Sequence, residues 1–166
     1  GREEKVVVWT SRPDTNFGAT FIVLAPEHPL ALKIADRQNE PELAEYIEKS
    51  RKKKKFDRIS NGRAKTGVFT GAYAINQLTG EKMPIWVSDF VLMDVGTGAL
   101  VGVPGHDVRD FEFAKAFGLP IKRVVVGLDG DKSDIKDIEQ VQEAEGVMIN
   151  SDFLDGMEIH AATVKM

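Results

Sequence analysis

The chain contains no cysteine. Disulfide staples, thiol nucleophiles and thiolate zinc sites are excluded together by that absence. It also has no apolar run near the ~18 residues that a membrane span needs, and its opening Gly1-Arg2-Glu3-Glu4 lacks signal-peptide character. Aromatic residues are few, at 8%, and there is no basic excess: 22 Lys and Arg face 26 Asp and Glu, for a net charge of −4. That balance excludes a general nucleic-acid coat while leaving room for a local contact with one nucleic-acid end. No serine sits in a G-x-S-x-G elbow, which argues against a triad hydrolase. Repeats, low-complexity tracts and linkers are missing as well. What is there is 166 residues, 42% hydrophobic and 29% charged, the profile of one soluble domain able to build a core unaided. A cytoplasmic location without a membrane partner is the expectation.

Residues 5–10 (KVVVWT) and 20–25 (TFIVLA) have the β-branched, aromatic texture of strands, and Pro13-Asp14 closes the first. The pattern predicts a helix over 29–37 and a better-signalled one opened by Asn39, with Pro41 in its first turn and Glu42 three residues past the cap. Leu43, Tyr46 and Ile47 share its face. This helix runs into Arg51-Lys52-Lys53-Lys54-Lys55, the one strong charge block. A solvated helix end, favoured by the macrodipole, is the preferred reading; a phosphate-contacting patch joined by Arg58, Arg63 and Lys65 is the other. Residues 66–92 change to β texture, with a hairpin turn at Leu78-Thr79-Gly80-Glu81. A strand over 99–103 and a helix over 108–117 follow. Asp107 is the expected N-cap of that helix, and Gly118 with Pro120 stops it. Residues 121–126 read as a strand, 134–145 as an acidic surface helix, and 146–166 as short apolar pieces around Asp155-Gly156. Strands outnumber helices without strict alternation, which predicts a mixed α+β domain.

Two segments concentrate polar chemistry. The first, Gly96-Thr97-Gly98-Ala99-Leu100-Val101-Gly102, is no dinucleotide loop, because its third glycine comes one residue late and it precedes a strand. It leads into His106-Asp107-Val108-Arg109-Asp110-Phe111-Glu112. Three readings of that cluster stay open: a metal held by His106, Asp107 and Asp110, an ordinary capped helix start, or a carboxylate at Asp110 placed to hold an ammonium group. The second segment, Thr10-Ser11-Arg12-Pro13-Asp14-Thr15, has three hydroxyls in six residues. They either satisfy turn backbone or line a polar pocket for water or an ester oxygen, with Arg12 beside them for a phosphate.

Taken together, the segments bear a family resemblance. Trp9-Thr10-Ser11-Arg12-Pro13-Asp14-Thr15-Asn16-Phe17-Gly18-Ala19-Thr20 is similar to the threonine-rich region of the editing domain inserted in leucyl-tRNA synthetases. The stretch from Gly96 to Ala114 resembles the second signature of the same domain, and Thr66-Gly67-Val68-Phe69-Thr70-Gly71, Pro84-Ile85-Trp86-Val87 and Asn150-Ser151 fit it too. Arg12-Pro13-Asp14-Thr15 stands where isoleucyl and valyl relatives carry Thr-Pro-Trp-Thr, so the leucyl branch, of bacterial or organellar type, is favoured. Two departures are Ser11, where the family has a second threonine, and Val95, where it often has tyrosine.

The resemblance implies a mixed β-barrel-like core flanked by helices, with residues 1–166 forming a single editing domain inserted in the catalytic domain of a synthetase. It implies hydrolysis of tRNA(Leu) mischarged with isoleucine, valine, methionine or norvaline, with no metal or organic cofactor. One methylene is worth only ~1–3 kcal/mol in an apolar pocket, so a synthetic site needs such a second sieve. Asp110 matches the aspartate that anchors the α-ammonium, and Thr10 and Ser11 match the pair near the scissile ester. Thr15 matches the threonine that crowds the pocket against leucine, Arg12 an arginine seating the tRNA 3′ end, and Val101, Val103 and His106 pocket-wall positions. The implied partners are the aminoacyl-adenosine end of tRNA(Leu) and the remainder of the synthetase in cis, with the chain otherwise monomeric. A catalytically weak module that only docks a tRNA end or the synthetase body is the alternative.

Overall fold

The structure, a computed structural model, describes residues 4–60 and 63–166; Gly1-Arg2-Glu3 of the opening segment lies outside them. The chain divides into two compact units. The first takes in residues up to Thr10, Phe21–Ile75 and Lys82–Val101; the second comprises Ser11–Thr20, Asn76–Glu81 and Gly102–Met166.

The first unit is built on β1 (Phe21–Leu24), whose four residues are all buried, as a strand covered on both faces requires. After it come α1 (Leu30–Lys33), α2 (Glu40–Arg51), α3 (Lys55–Ile59), β2 (Val68–Ile75), β3 (Lys82–Val87) and β4 (Ala99–Gly102), whose last residue counts with the second unit. The sheet order is β2-β3-β1-β4. β1 runs parallel to β3, with Ile22 opposite Ile85, and β2 is antiparallel to β3, with an irregularity between Phe69 and Tyr73. Gly71 explains the irregularity. Its φ is +82°, and a Cβ there would come 2.0 Å from the Asp36 carboxylate, so no other residue fits without displacing Asp36. α2 packs on β2 through buried Leu43, Ile47 and Ser50, at the spacing of one helical face.

Ion pairs fasten the end of this unit's helical stretch. Arg58 is buried; its Nε donates to the Asp89 carbonyl at 2.6 Å, Nη2 to the Val91 carbonyl at 2.7 Å and Nη1 to Glu27 at 2.7 Å. The buried Asp89 carboxylate accepts from Lys53 at 2.6 Å and from Arg63 at 2.7 Å. Burial raises the Asp89 pKa, but those two cations outweigh it and hold the carboxyl below its ordinary range.

The second unit opens with a 3₁₀ turn over Pro13–Gly18 and continues with α4 (Val108–Phe117), β5 (Val125–Val126), β6 (Val147–Met148) and α5 (Ile159–Lys165). β5 and β6 pair antiparallel. Phe17, Val124, Val125, Met148, Leu154, Ile159 and Ala162 form its core. Asp107 caps α4 as expected, accepting from Arg109 N at 2.8 Å and Asp110 N at 3.1 Å, and Gly118 ends it in the left-handed conformation.

The mixed α+β class holds, and the described strands form an open four-stranded sheet and a two-stranded one without closing into a barrel. Several boundaries differ from expectation. Residues 5–10 contribute one isolated bridge, Trp9 to Leu100. The helix expected over 29–37 stops at Lys33, since the Asp36 N–H turns away to the Thr70 carbonyl. Asn39 stands at the cap position of α2, but the capping oxygen belongs to Asp36, which accepts the Asn39 N–H at 2.8 Å. The strand over 121–126 shrinks to β5 because the Val124 and Val125 N–H groups point at the His106 ring. In place of an acidic helix over 134–145 there is a 3₁₀ turn at Ile138–Gln140, where the Gln140 side chain accepts from the Lys136 and Asp137 N–H groups. α5 in the tail has no strong signal, since its buried face is only Ile159 and Ala162.

Candidate functional site

Asp110 sits in the first turn of α4, 7% exposed, and its Oδ2 accepts the Val103 N–H at 2.8 Å. Two features of the chain put it there. Pro104-Gly105 turns the backbone after β4, and Asp107 starts the helix, so the carboxylate faces back onto the strand end. Gly105 permits the turn: a Cβ there would lie 2.2 Å from the Lys122 carbonyl. The His106 N–H donates to the Val103 carbonyl at 3.0 Å. Val103, His106 and Asp110 are thus joined in one hydrogen-bonded run.

The His106 ring has both nitrogens committed. Nε2 accepts from Val124 N at 2.9 Å and Val125 N at 3.2 Å, which requires that nitrogen to be unprotonated. Nδ1 is 2.9 Å from the Gln142 carbonyl and must donate to it. Burial, with smaller contributions from the charges of Arg12 and Arg123, pulls the pKa down to about 4. His106 is therefore neutral in one tautomer, with no lone pair left for a proton or a metal ion. The metal reading of His106, Asp107 and Asp110 loses its imidazole. Among the described residues, ligand atoms gather within 4.8 Å only at Glu145, Glu158 and His160, all exposed. Ion pairing accounts for these, with His160 Nε2 3.0 Å from Glu145.

In the threonine-rich segment, Arg12 forks onto Asp14, with Nε 3.0 Å from Oδ1 and Nη2 2.7 Å from Oδ2. That hydrogen bond and charge raise the Arg12 pKa further. Asp14 is fully buried and also accepts from the Thr163 hydroxyl at 3.2 Å. Arg12 Nη1 reaches the Glu143 carbonyl at 3.4 Å. Thr15 is 2% exposed and spends its hydroxyl on the Arg12 carbonyl at 3.0 Å, the turn-capping role, which leaves its methyl to set the local volume. Ser11 is exposed and opens the second unit; Thr10 and Val101 are half-buried and belong to the first.

The structure thus links Arg12 with Thr15, and Val103 with His106 and Asp110. The supporting residues carry little local signal in the sequence. Asp14 is signalled by lying two residues from Arg12, but nothing near Gln142, Glu143 or Thr163 marks them, because their partners lie 36, 131 and 149 residues away along the chain.

Asp110 is thus a buried carboxylate in the first turn of a short helix within an α+β frame. The family model described as "Leucyl-tRNA synthetase, editing domain" matches residues 1–166. The chain is an aminoacyl-tRNA synthetase editing module. Specifically, it belongs to the leucyl-tRNA synthetase editing-domain family. Among solved structures it is similar to the synthetase in the ternary complex of Agrobacterium radiobacter K84 agnB2 LeuRS, tRNA and LeuAMS, at 38% identity and a TM-score of 0.61. That match covers 70% of this chain and 14% of that one, so the chain spans a small part of the synthetase it resembles.

Proposed function

We propose that this chain, as an editing domain inserted in the catalytic domain of a leucyl-tRNA synthetase, hydrolyses the ester of tRNA(Leu) carrying isoleucine, valine, methionine or norvaline. Family membership supports the reaction class, and the observation that carries the site is the Asp110 carboxylate, fixed by the Val103 N–H at the start of α4. A fixed carboxylate is suited to gripping an α-ammonium by charge-assisted hydrogen bonds, which holds the adjoining ester in one pose for water. Ser11 and Thr10, assigned by the family likeness, orient that water or the developing oxyanion. By the family likeness, Thr15, Val101 and Val103 are the residues assigned to rejecting leucine. Arg12, held by Asp14, offers its charge to the tRNA 3′ end, and the tRNA in the similar complex fits that role. His106 acts by position alone, since its ring is saturated. No side chain of this set is a strong general base, which assigns proton transfer to water and the substrate's ribose hydroxyl.

The test is release of free isoleucine from isoleucyl-tRNA(Leu). The wild-type chain is expected to release it, and Asp110→Ala to slow release at least a hundredfold with its melting transition retained. Absence of release at high protein concentration would leave the docking module in its place.

A further inference from the structure

The charge block singled out in the sequence has no part in the site above. Nine of the chain's 22 lysines and arginines fall between residues 49 and 65, beside a single acid, Asp57, in a protein whose net charge is −4. The structure pairs most of these cations, and at the surface Lys49, Arg51 and Lys55 meet Glu45, Glu48 and Asp94. Lys53, Arg58 and Arg63 turn inward onto Asp89 and Glu27. Lys52 and Lys54 are exposed and form no ion pair among the described residues. Burying Arg58 has a geometric consequence for α3: its apolar residues face solvent, with Phe56 77% and Ile59 54% exposed. A scattered exposed apolar residue needs no explanation. Here, however, Phe56 stands on a helix held by four Arg58 hydrogen bonds, with the unpaired Lys54 two residues before it.

We propose that Lys52, Lys54 and Phe56 form a second RNA-binding surface, carried wholly by the first unit, on which lysines meet phosphates and the Phe56 ring stacks on an unpaired base. The inference rests on the reading of RNA as this chain's partner, and it uses none of the residues assigned to the ester. Exposed ammonium groups together with an exposed aromatic ring are the usual equipment for tracking a single strand without sequence preference. An anionic membrane fits poorly. α3 has five residues and two outward apolar side chains, too little to embed in a bilayer.

The experiment measures affinity of the 166-residue chain for a tRNA(Leu) transcript lacking its terminal CCA, so that recognition of the 3′ end contributes nothing. Lys52→Ala with Lys54→Ala is expected to weaken binding about tenfold at low salt. It should also make the slope of log affinity against log salt shallower by about 1.4 to 1.8, the loss of two phosphate contacts. Phe56→Ala should weaken binding about tenfold with the slope unchanged. Lys52→Arg with Lys54→Arg should restore wild-type binding, which separates a lost charge from a damaged fold. Affinity within twofold of wild type and an unchanged slope in the alanine pair would overturn the proposal, as would lysine-dependent binding to phosphatidylserine vesicles in place of RNA. Asp110→Ala should bind this truncated transcript like wild type. A failure of isoleucine release therefore strikes the editing reading, and a failure here strikes only this surface.

Discussion

Individual side chains in this protein are committed to one another more heavily than their types suggest. His106 is the sharpest case, a histidine beside a proposed active site whose ring serves as a three-way backbone connector. Its pKa in the fold, about 4, is well below the ordinary 6.5. Between those values the unfolded chain binds a proton that the folded one refuses, so stability is fully present above about pH 6.5 and falls as pH drops toward 4. One such group contributes a slope of up to about 1.4 kcal/mol per pH unit in that window. Urea midpoints at pH 7, 5.5 and 4.5 should show this slope in wild type, whereas His106→Gln should be weaker at pH 7 and flatter below it. Parallel profiles would refute the assignment. At this scale the sequence was informative about identity and silent about engagement. The Arg12 guanidinium reads as a phosphate ligand, yet the fold gives it Asp14, and Thr15 proves to be both a turn cap and a volume setter.

Elements were legible where their signals are local. α4 carries its own start and stop in Asp107 and Gly118, and the β2–β3 pairing follows from alternation and a turn at 78–81. Legibility failed where long-range partners decide. Residues 121–126 have strand composition, but two of their amides serve a histidine ring, and 134–145 has the charge of a surface helix while its backbone turns to meet His106 and Arg12. The short α3 is the extreme example, since propensity would not hold five residues helical without Arg58. Removing that side chain strands the Asp89 and Val91 carbonyls and unpairs Glu27. Arg58→Ala is expected to cost about 3 kcal/mol, somewhat discounted because Glu27 is partly solvated. In calorimetry that is a fall of about 6–12 °C in the melting midpoint; a shift under 2 °C would show the bonds to be dispensable.

For the molecule as a whole, the family is legible in the sequence because its motifs gather in two short stretches, residues 9–20 and 96–114. The division into two compact units was not foreseeable, since each gathers segments from distant parts of the chain. No helix among the described residues is long and apolar enough to cross a membrane. The chemistry proposed places no demand on a metal ion, and the His106 imidazole is saturated. Isoleucine release should therefore proceed at an unchanged rate after exhaustive dialysis against EDTA, measured beside an undialysed sample. A loss restored by zinc would point to ligands outside the set described.

The strand order has a bearing on biosynthesis. β1 emerges from the ribosome first yet lies in the interior of its sheet, and its parallel neighbour β3 begins about 60 residues later. At ordinary translation rates the Phe-Ile-Val-Leu tetrapeptide waits roughly 3 to 12 seconds, both edges bare, before that neighbour exists. During this interval it is a natural client for a holdase chaperone, and slow codons placed between the two strands would lengthen the exposure.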